Sequence, residues 1–438
     1  MRASVFVGVA ELEDALALEA SGATRESSTL SFDTMKNFCK DCGYSNFYHL
    51  TTWLQDLTSR FLWLPKLPKK IEDFFDGFLA TVFTVLRIAK FRADFTAQDV
   101  QLRSFCFLEE MKKRGVTCYA LKTIFGYTNH FKMRIGEKVF HFEMLPTAGF
   151  KSKYTNRVVD DKQLTKEFCK EGNFPISQGQ SFWFWQKQKA VQFAHQIGFP
   201  VVVKPRGGSV SRHVTTNIEG VEQLECAIRK ATAYSPAFIV EKFIPNTFVY
   251  RATVVDFDFV VCVQQLPANV VGNGILTVRE LIDKKNNSPN RGPLRSREGE
   301  ASKPHQKEHT LYTIVENAVT ETLLSKKGYT FFSVPKESEV VFLQYDPFLK
   351  LGGDLVEVTN TVHPDNLTLV KQAARYFDIR VVGIDFLAQD ISRSWKEQQC
   401  AILELNSAPC IELHHFPSAG EPTNPAKALA DMFFKYYT

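Results

Sequence analysis

A mixed α/β chain of the α+β kind is predicted by three observations. The segments 381–386 and 401–406 each read as a short strand near the C-terminus. A helix with Val191, Ala194 and Ile197 on one stripe stops at Gly198 and Pro200. A β-branched strand, Val201-Val202-Val203-Lys204, follows at once. No tandem repeat is visible, and 438 residues exceed one typical domain, with ample length for more than one core.

The C-terminal strands carry the most informative side chains. Side chains alternate across a strand, so Glu404 and Asn406 share one face while Leu403 and Leu405 share the other. The apolar face packs on a core and leaves a carboxylate and an amide facing a cleft. Asp385 ends the neighbouring run as a third oxygen ligand. A few carboxylates with open coordination positions suit Mg2+ (or Mn2+), which keeps waters and takes other ligands from substrate phosphates. Read alone, the same residues also suit the exposed polar face of an edge strand.

The strand ending in Lys204 runs into Pro205-Arg206-Gly207-Gly208-Ser209. A lysine at a strand end beside a flexible loop is placed to meet phosphates, and the N–H groups of Gly207, Gly208 and Ser209 can cradle them. The lysine precedes the glycines, so this is not the G-x-x-x-x-G-K-S/T loop. Strand-Lys-Pro upstream with Asp…Glu-x-Asn downstream is a far more specific signal than either part.

With these motifs the chain resembles the ATP-grasp superfamily of carboxylate–amine ligases. The likeness is nearest to cyanophycin synthetases and to the ATP-grasp module of bifunctional glutathione synthetases. It runs from about Arg103 to the C-terminus and is densest from Gly198. Further matching segments are Ile239 to Pro245, similar to the family's adenine-binding hinge, and Tyr250-Arg251 just after it. Pro267 to Gly274 and Thr277 to Ile282 resemble a substrate-loop lead-in, and Glu404 to Pro409 with Pro417 to Pro422 the C-terminal signature.

The resemblance implies an ATP-grasp fold, two α+β subdomains clamping the nucleotide. A small α/β lead-in domain precedes them, and a mainly helical N-terminal region stands before that. The expected boundaries are 1–95 for the N-terminal region, 96–160 for the lead-in, 161–240 for the lid and 241–438 for the C-terminal subdomain with the metal site. A helix ending at Gly115 belongs to the lead-in; the chain after Ser31 reads as aromatic and helical through Phe91, and Phe74 to Ala89 within it as a buried amphipathic helix. Acids at 160–161 open a helix that Gly172 closes. A helix with Val221, Leu224 and Ile228 on one face follows the lid loop; another carries Leu367, Val370, Ala374 and Phe377. Residues 284–310, polar and rich in Lys, Arg, Asn and Pro, read as a long loop placed to cover a site.

The resemblance also implies the chemistry. ATP phosphorylates a carboxylate, and an amine attacks the acyl phosphate to give an amide, ADP and phosphate. Asp385, Glu404 and Asn406 are the implied Mg2+ ligands. Lys162, in the Asp161-Lys162-Gln163-Leu164-Thr165-Lys166 helix start, and Lys204 are the implied phosphate lysines. Arg251 faces the γ-phosphate or the acyl phosphate; Glu241 and the main chain of Lys242 and Ile244 receive adenine. The implied partners are amino acids or small peptides, with homo-oligomerisation left open.

The chain departs from the pattern in three places. Ser211-Arg212-His213 stands where relatives have Gly-x-Gly. The segment Asn246-Thr247-Phe248-Val249 lacks the acid that relatives present to the ribose. The stretch Leu343 to Gly353 lacks the arginine, asparagine, serine and threonine of the family motif. Two readings therefore stand: an ADP-forming ligase, or a catalytically degenerate ATP-grasp module that binds nucleotide or a partner.

Composition excludes other classes. The 53 basic and 48 acidic residues leave only +5, too little to argue for nucleic acid or a membrane surface. The longest apolar stretch, Phe74 to Ala89, is too short to span a bilayer and carries Asp76 and Arg87. Ser4 to Ala10 is short and followed by acids, unlike a signal peptide. Nine cysteines without framework spacing, the Cys39/Cys42 pair included, read as free thiols, and a cytoplasmic location is expected.

Overall fold

The computed structural model describes residues 82–124, 126–146, 161–207, 211–292 and 309–437, together with Cys39, residues 49–54, Leu57 and Val159. The chain divides into two compact units. One comprises residues 1–151, 295–308 and 426–438; the other comprises residues 152–294 and 309–425.

In the first unit, β1 (Ala89–Arg92), β2 (Thr117–Thr123), β3 (Gly126–Ile135) and β4 (Lys138–Glu143) form an antiparallel sheet in chain order. The helix Leu102–Lys113 buries Phe107, Leu108 and Met111, and Gly115 at φ 80° reverses the chain into β2. Phe107 meets Phe142 edge-on at 5.8 Å and Phe433 of the terminal helix Pro425–Tyr437 at 6.3 Å. The helix expected through Phe91 is corrected here: Ala89 already pairs with Thr123 as the first residue of β1. Its alternating burial has the period of a strand, and Val85 and Leu86 just before it are exposed.

The second unit holds two larger sheets. β5 (Gly179–Trp183), β6 (Val201–Pro205), β7 (Thr215–Ile218) and β8 (Ala237–Lys242) pair antiparallel in the order β5-β8-β6-β7. The helices Lys187–Ile197 and Val221–Thr232 share a core with it, burying Ala190, Ala194, Leu224 and Ile228 with Val201, Val203 and Val240. Val191 and Ile197 are only partly buried, so the core stripe runs through the alanines.

The other sheet joins β9 (Phe248–Val255), β10 (Phe259–Leu266), β15 (Asp354–Glu357), β16 (Val381–Ala388) and β17 (Cys400–Asn406) in the order β15-β10-β9-β16-β17. Helix Pro364–Tyr376 packs on it through Val370, Ala373 and Ala374; Leu369 is buried and Leu367 only half-buried. Two short ladders complete the unit: β11 (Asn269–Val271) with β14 (Val340–Phe342), and β12 (Arg291–Gly292) with β13 (Leu311–Tyr312). The expected 284–310 loop is narrower than its composition suggests. The helix Val278–Asn286 opens with a Thr277/Glu280 capping box, β12 follows, and only 293–308 lie outside the described residues.

A bulge shapes the C-terminal strand. Asp385 pairs with Glu404, yet Phe386 pairs with Ile402, so Leu403 is an extra residue. Strict alternation is thus corrected: Ile402 and Leu405 are buried, and Leu403 is only half-buried. All eight cysteines among the described residues are free thiols, and no described helix is long and apolar enough to cross a membrane.

Candidate active site

The acidic cluster follows from register. Arg251 on β9 sits directly opposite Asp385 on β16, and Asp385 directly opposite Glu404 on β17. Directly opposed residues of a ladder share a face, so three charged side chains line one row. Arg251 grips Asp385 with two guanidinium nitrogens, Nη2 lying 2.5 Å from Oδ2. Asn406, two residues beyond Glu404, donates its amide N–H to Glu404 Oε1 at 3.3 Å. Lys162 Nζ lies 3.5 Å from Glu404 Oε2.

Burial and charge divide the two carboxylates. Burial pushes Asp385 up to about 6 despite its bond to Arg251, with the neighbouring Glu404 adding to the rise. Burial acts on Glu404 in the same sense, but Lys162 and Arg251 overcome it and hold Glu404 down at about 2. Adjacent carboxylates in one row cannot both ionise freely, and the cations favour Glu404 as the ionised one. His414, fully buried behind this row, bridges Thr253 Oγ1 at 2.8 Å and Glu357 at 3.2 Å. That chain ties the C-terminal segment to β9 and β15.

The lysines arrive on separate elements. Lys162 is the first residue of helix Lys162–Glu171, whose N-cap Asp161 accepts from Gln163 N at 2.9 Å and Leu164 N at 3.1 Å. Arg206, just past β6, donates to both oxygens of Asp161 at 3.0 and 3.1 Å. Lys204, near the end of β6, pairs with Glu241 Oε1 at 2.6 Å. Lys166, one turn beyond Lys162, binds Glu241 Oε2 and the carbonyl and hydroxyl of Ser177, both at 3.1 Å. Burial opposes the charge on Glu241, yet the two lysines hold its carboxyl down at about 2.

Glu241 is therefore held by two ammonium groups, not open to a ligand. Lys242 sends its ammonium to the carbonyls of Gly198 and Phe199 at 2.9 and 3.0 Å, and its N–H to Gln178 O at 2.8 Å. Ile244 lies beyond, its carbonyl accepting from Thr247 Oγ1 at 2.9 Å. Gly207 is described; Gly208 and Ser209 lie outside the described residues. Asp385, Glu404, Asn406, Arg251 and Lys162 are thus brought together, and Lys204 joins them through its charge on Glu404.

Two features escaped the sequence reading. Lys166 is the larger omission; its signal is the i, i+4 spacing from Lys162, which puts both lysines on one helix face. The other is the backbone at the departed lid turn. Ser211 and His213 both hold positive φ, 52° and 54°, so the turn keeps the left-handed conformation that glycine favours. His213 is anchored by Nδ1 to Lys230 O at 2.8 Å and a stacked Tyr234 ring at 5.2 Å.

The family described as carbamoyl-phosphate synthase L chain, ATP binding domain, matches residues 161–261. The chain carries an ATP-grasp domain. Cyanophycin synthetase from Trichormus variabilis is 31% identical over 329 residues, 75% of this chain and 34% of that protein. The glutathione biosynthesis bifunctional protein GshAB from Clostridium perfringens is 25% identical over 339 residues, 77% of this chain and 41% of the relative. The chain thus spans about a third to two fifths of the length of these curated relatives. The crystal structure of a bifunctional glutathione synthetase from Pasteurella multocida shares the fold, with a TM-score of 0.57 at 21% identity. That match covers 77% of this chain and 44% of that one. The ATP-grasp assignment fits the two antiparallel sheets of the second unit.

Proposed function

We propose that this ATP-grasp chain is an ADP-forming ligase that joins a carboxylate to an amine through an acyl phosphate. The observation that carries the reading is the convergence of Lys162, Lys204 and Arg251 on the row of Asp385, Glu404 and Asn406, of which Asp385 is buried and the other two half-buried. Curated relatives named as cyanophycin synthetases and a bifunctional glutathione-biosynthesis protein support it by homology. The lid would be 161–240 and the catalytic subdomain 241–438, with 96–160 as lead-in and 1–95 as a separate N-terminal region.

The donor set fits a hard divalent cation: two carboxylates and an amide oxygen in a row, with none of the soft ligands that would favour zinc. Asp385, Glu404 and Asn406 would hold Mg2+, which when bound supplies neutralisation of phosphate charge. Arg251 already grips Asp385, so the guanidinium and the metal would share or exchange that carboxylate. Lys162 and Lys204 would bind phosphate oxygens, and Arg251, two bonds strong on Asp385, would turn toward the transferred phosphoryl group. The main chain of Lys242 and Ile244 would line the adenine end, while the Glu241 side chain stays with Lys166 and Lys204. The γ-phosphoryl group passes from ATP to the substrate carboxylate, leaving ADP; the amine nitrogen then displaces phosphate and loses a proton.

The acid and amine are proposed to be an amino acid or small peptide and an amine-bearing partner. A panel of amino acids and dipeptides, scored by ADP release with MgATP, tests the reaction. ADP release that needs both an acid and an amine supports it. The alternative is a module that binds nucleotide without turnover; the missing ribose acid at 246–249 and the engaged Glu241 favour it. MgATP binding with no release across the panel would decide for that module.

A further inference from the structure

Glu241 has one lysine on each carboxylate oxygen, and the two lysines are not equivalent. Lys166 Nζ has three acceptors, Glu241 Oε2, Ser177 O and Ser177 Oγ, which match the three protons of an ammonium. Lys204 Nζ, among the described residues, has Glu241 Oε1. Lys166 is therefore saturated by fixed groups, while Lys204 keeps protons to give. Space around the carboxylate is also closed: a Cβ added at Gly179 would lie 2.6 Å from Glu241 Cβ and 2.8 Å from Lys166 Nζ. Glu241, Lys166 and Lys204 are all buried, at 3, 6 and 7% exposure, so whichever group leaves strands a charge unless another compensates it.

We propose that Lys166 is a positioning residue that permanently neutralises Glu241, so that Lys204 can leave that carboxylate for a nucleotide phosphate. The proposal rests on the nucleotide reading above and adds a residue and a role to it. Without Lys166, Glu241 holds Lys204, because its departure would leave a buried carboxylate unpaired. With Lys166 in place, the departure costs one of two ion pairs and the carboxylate stays compensated. The cluster then acts as a holder for Lys204, keeping its side chain near its target before the nucleotide arrives.

Calorimetric titration of MgATP into the full chain and its variants tests this. Wild type is measured first; if it takes no MgATP, the proposed nucleotide site fails together with the role of Lys166. Given wild-type binding, Lys166→Met is expected to weaken MgATP about 100-fold or more, as stranding a buried charge does. Lys166→Arg, which keeps the charge, is expected to stay within about tenfold of wild type. Neutralising the carboxylate removes the need for Lys166: Lys166→Met/Glu241→Gln should bind as Glu241→Gln does. That pair of variants decides the matter even where Lys166→Met alone does not fold. Wild-type-like binding by Lys166→Met, or a tenfold or greater loss in the double variant relative to Glu241→Gln, overturns the proposal (tenfold being about 1.4 kcal/mol).

Discussion

Arg251→Met is the substitution whose consequences the cross-strand row fixes most tightly. In the wild type one guanidinium compensates Asp385 and contributes to holding Glu404 ionised. Its removal leaves the buried Asp385 facing the half-buried Glu404, with Lys162 at 3.5 Å from Glu404 as a compensating charge. Removing one partner of a buried pair costs about 3–5 kcal/mol, so a loss approaching that size is expected at pH 8, where wild-type Asp385 is ionised against Arg251. Asp385, pushed up to about 6 even with Arg251 present, moves further up without it. A carboxyl raised in the folded state costs stability in full above its folded value, and that cost fades as pH falls toward the unfolded value of about 3.9, so protonation relieves the variant in acid. The loss should therefore shrink to roughly 1–2 kcal/mol at pH 5. Urea unfolding of wild type and variant at pH 5 and pH 8 measures both numbers. Millimolar Mg2+ should restabilise the variant more than the wild type at pH 8, because the freed carboxylates then bind it. A loss that is the same at both pH values, or under about 1 kcal/mol, refutes an Arg251–Asp385–Glu404 row.

Further expectations follow from the same geometry. Glu241 sits at about 2, below its ordinary 4.5, so its contribution to stability is full above pH 4.5 and lost as pH falls toward 2. Glu241→Gln should accordingly be less stable than wild type at pH 7, and urea unfolding should show the gap narrowed, but not closed, at pH 3. Gly179→Ala places a methyl against Glu241 and Lys166; overpacking of about 1–3 kcal/mol and weaker MgATP binding are expected, by thermal unfolding and calorimetry. Gln344→Leu removes amide bonds to Val315 O at 3.0 Å, Asn317 Oδ1 at 3.1 Å and Thr320 Oγ1 at 2.9 Å. It should lower stability by about 1–3 kcal/mol, because that amide ties together the start of the helix Ala318–Lys326.

Much of the site was legible because its signals are local. A lysine near a β-branched strand's end, and a carboxylate and amide two residues apart, are set by short-range periodicity. The helix from Lys162 to Glu171 was equally open, with Asp161 before it and Gly172 after. What escaped depends on contacts between distant segments. Lys166 meets Glu241 across 75 residues of chain, and Arg251 meets Asp385 across 134. Strand register decides the second pairing and the packing of a helix against β8 the first, and neither can be read from one segment alone. The bulge at Leu403 escaped for another reason: one extra apolar residue between Ile402 and Glu404 leaves the alternation readable in two ways. Ala89 to Arg92 went wrong because a short strand following an apolar run offers too few residues to separate the two periods.

The central claim is a working phosphate and metal site on the row of Asp385, Glu404 and Asn406. Calorimetric titration of ATP, with and without Mg2+, into the full chain and into Asp385→Asn/Glu404→Gln tests it most directly. Mg2+-dependent ATP binding by the wild type that the double substitution abolishes is the predicted result. No ATP binding by the wild type in the presence of Mg2+, or binding that survives the double substitution unchanged, contradicts it.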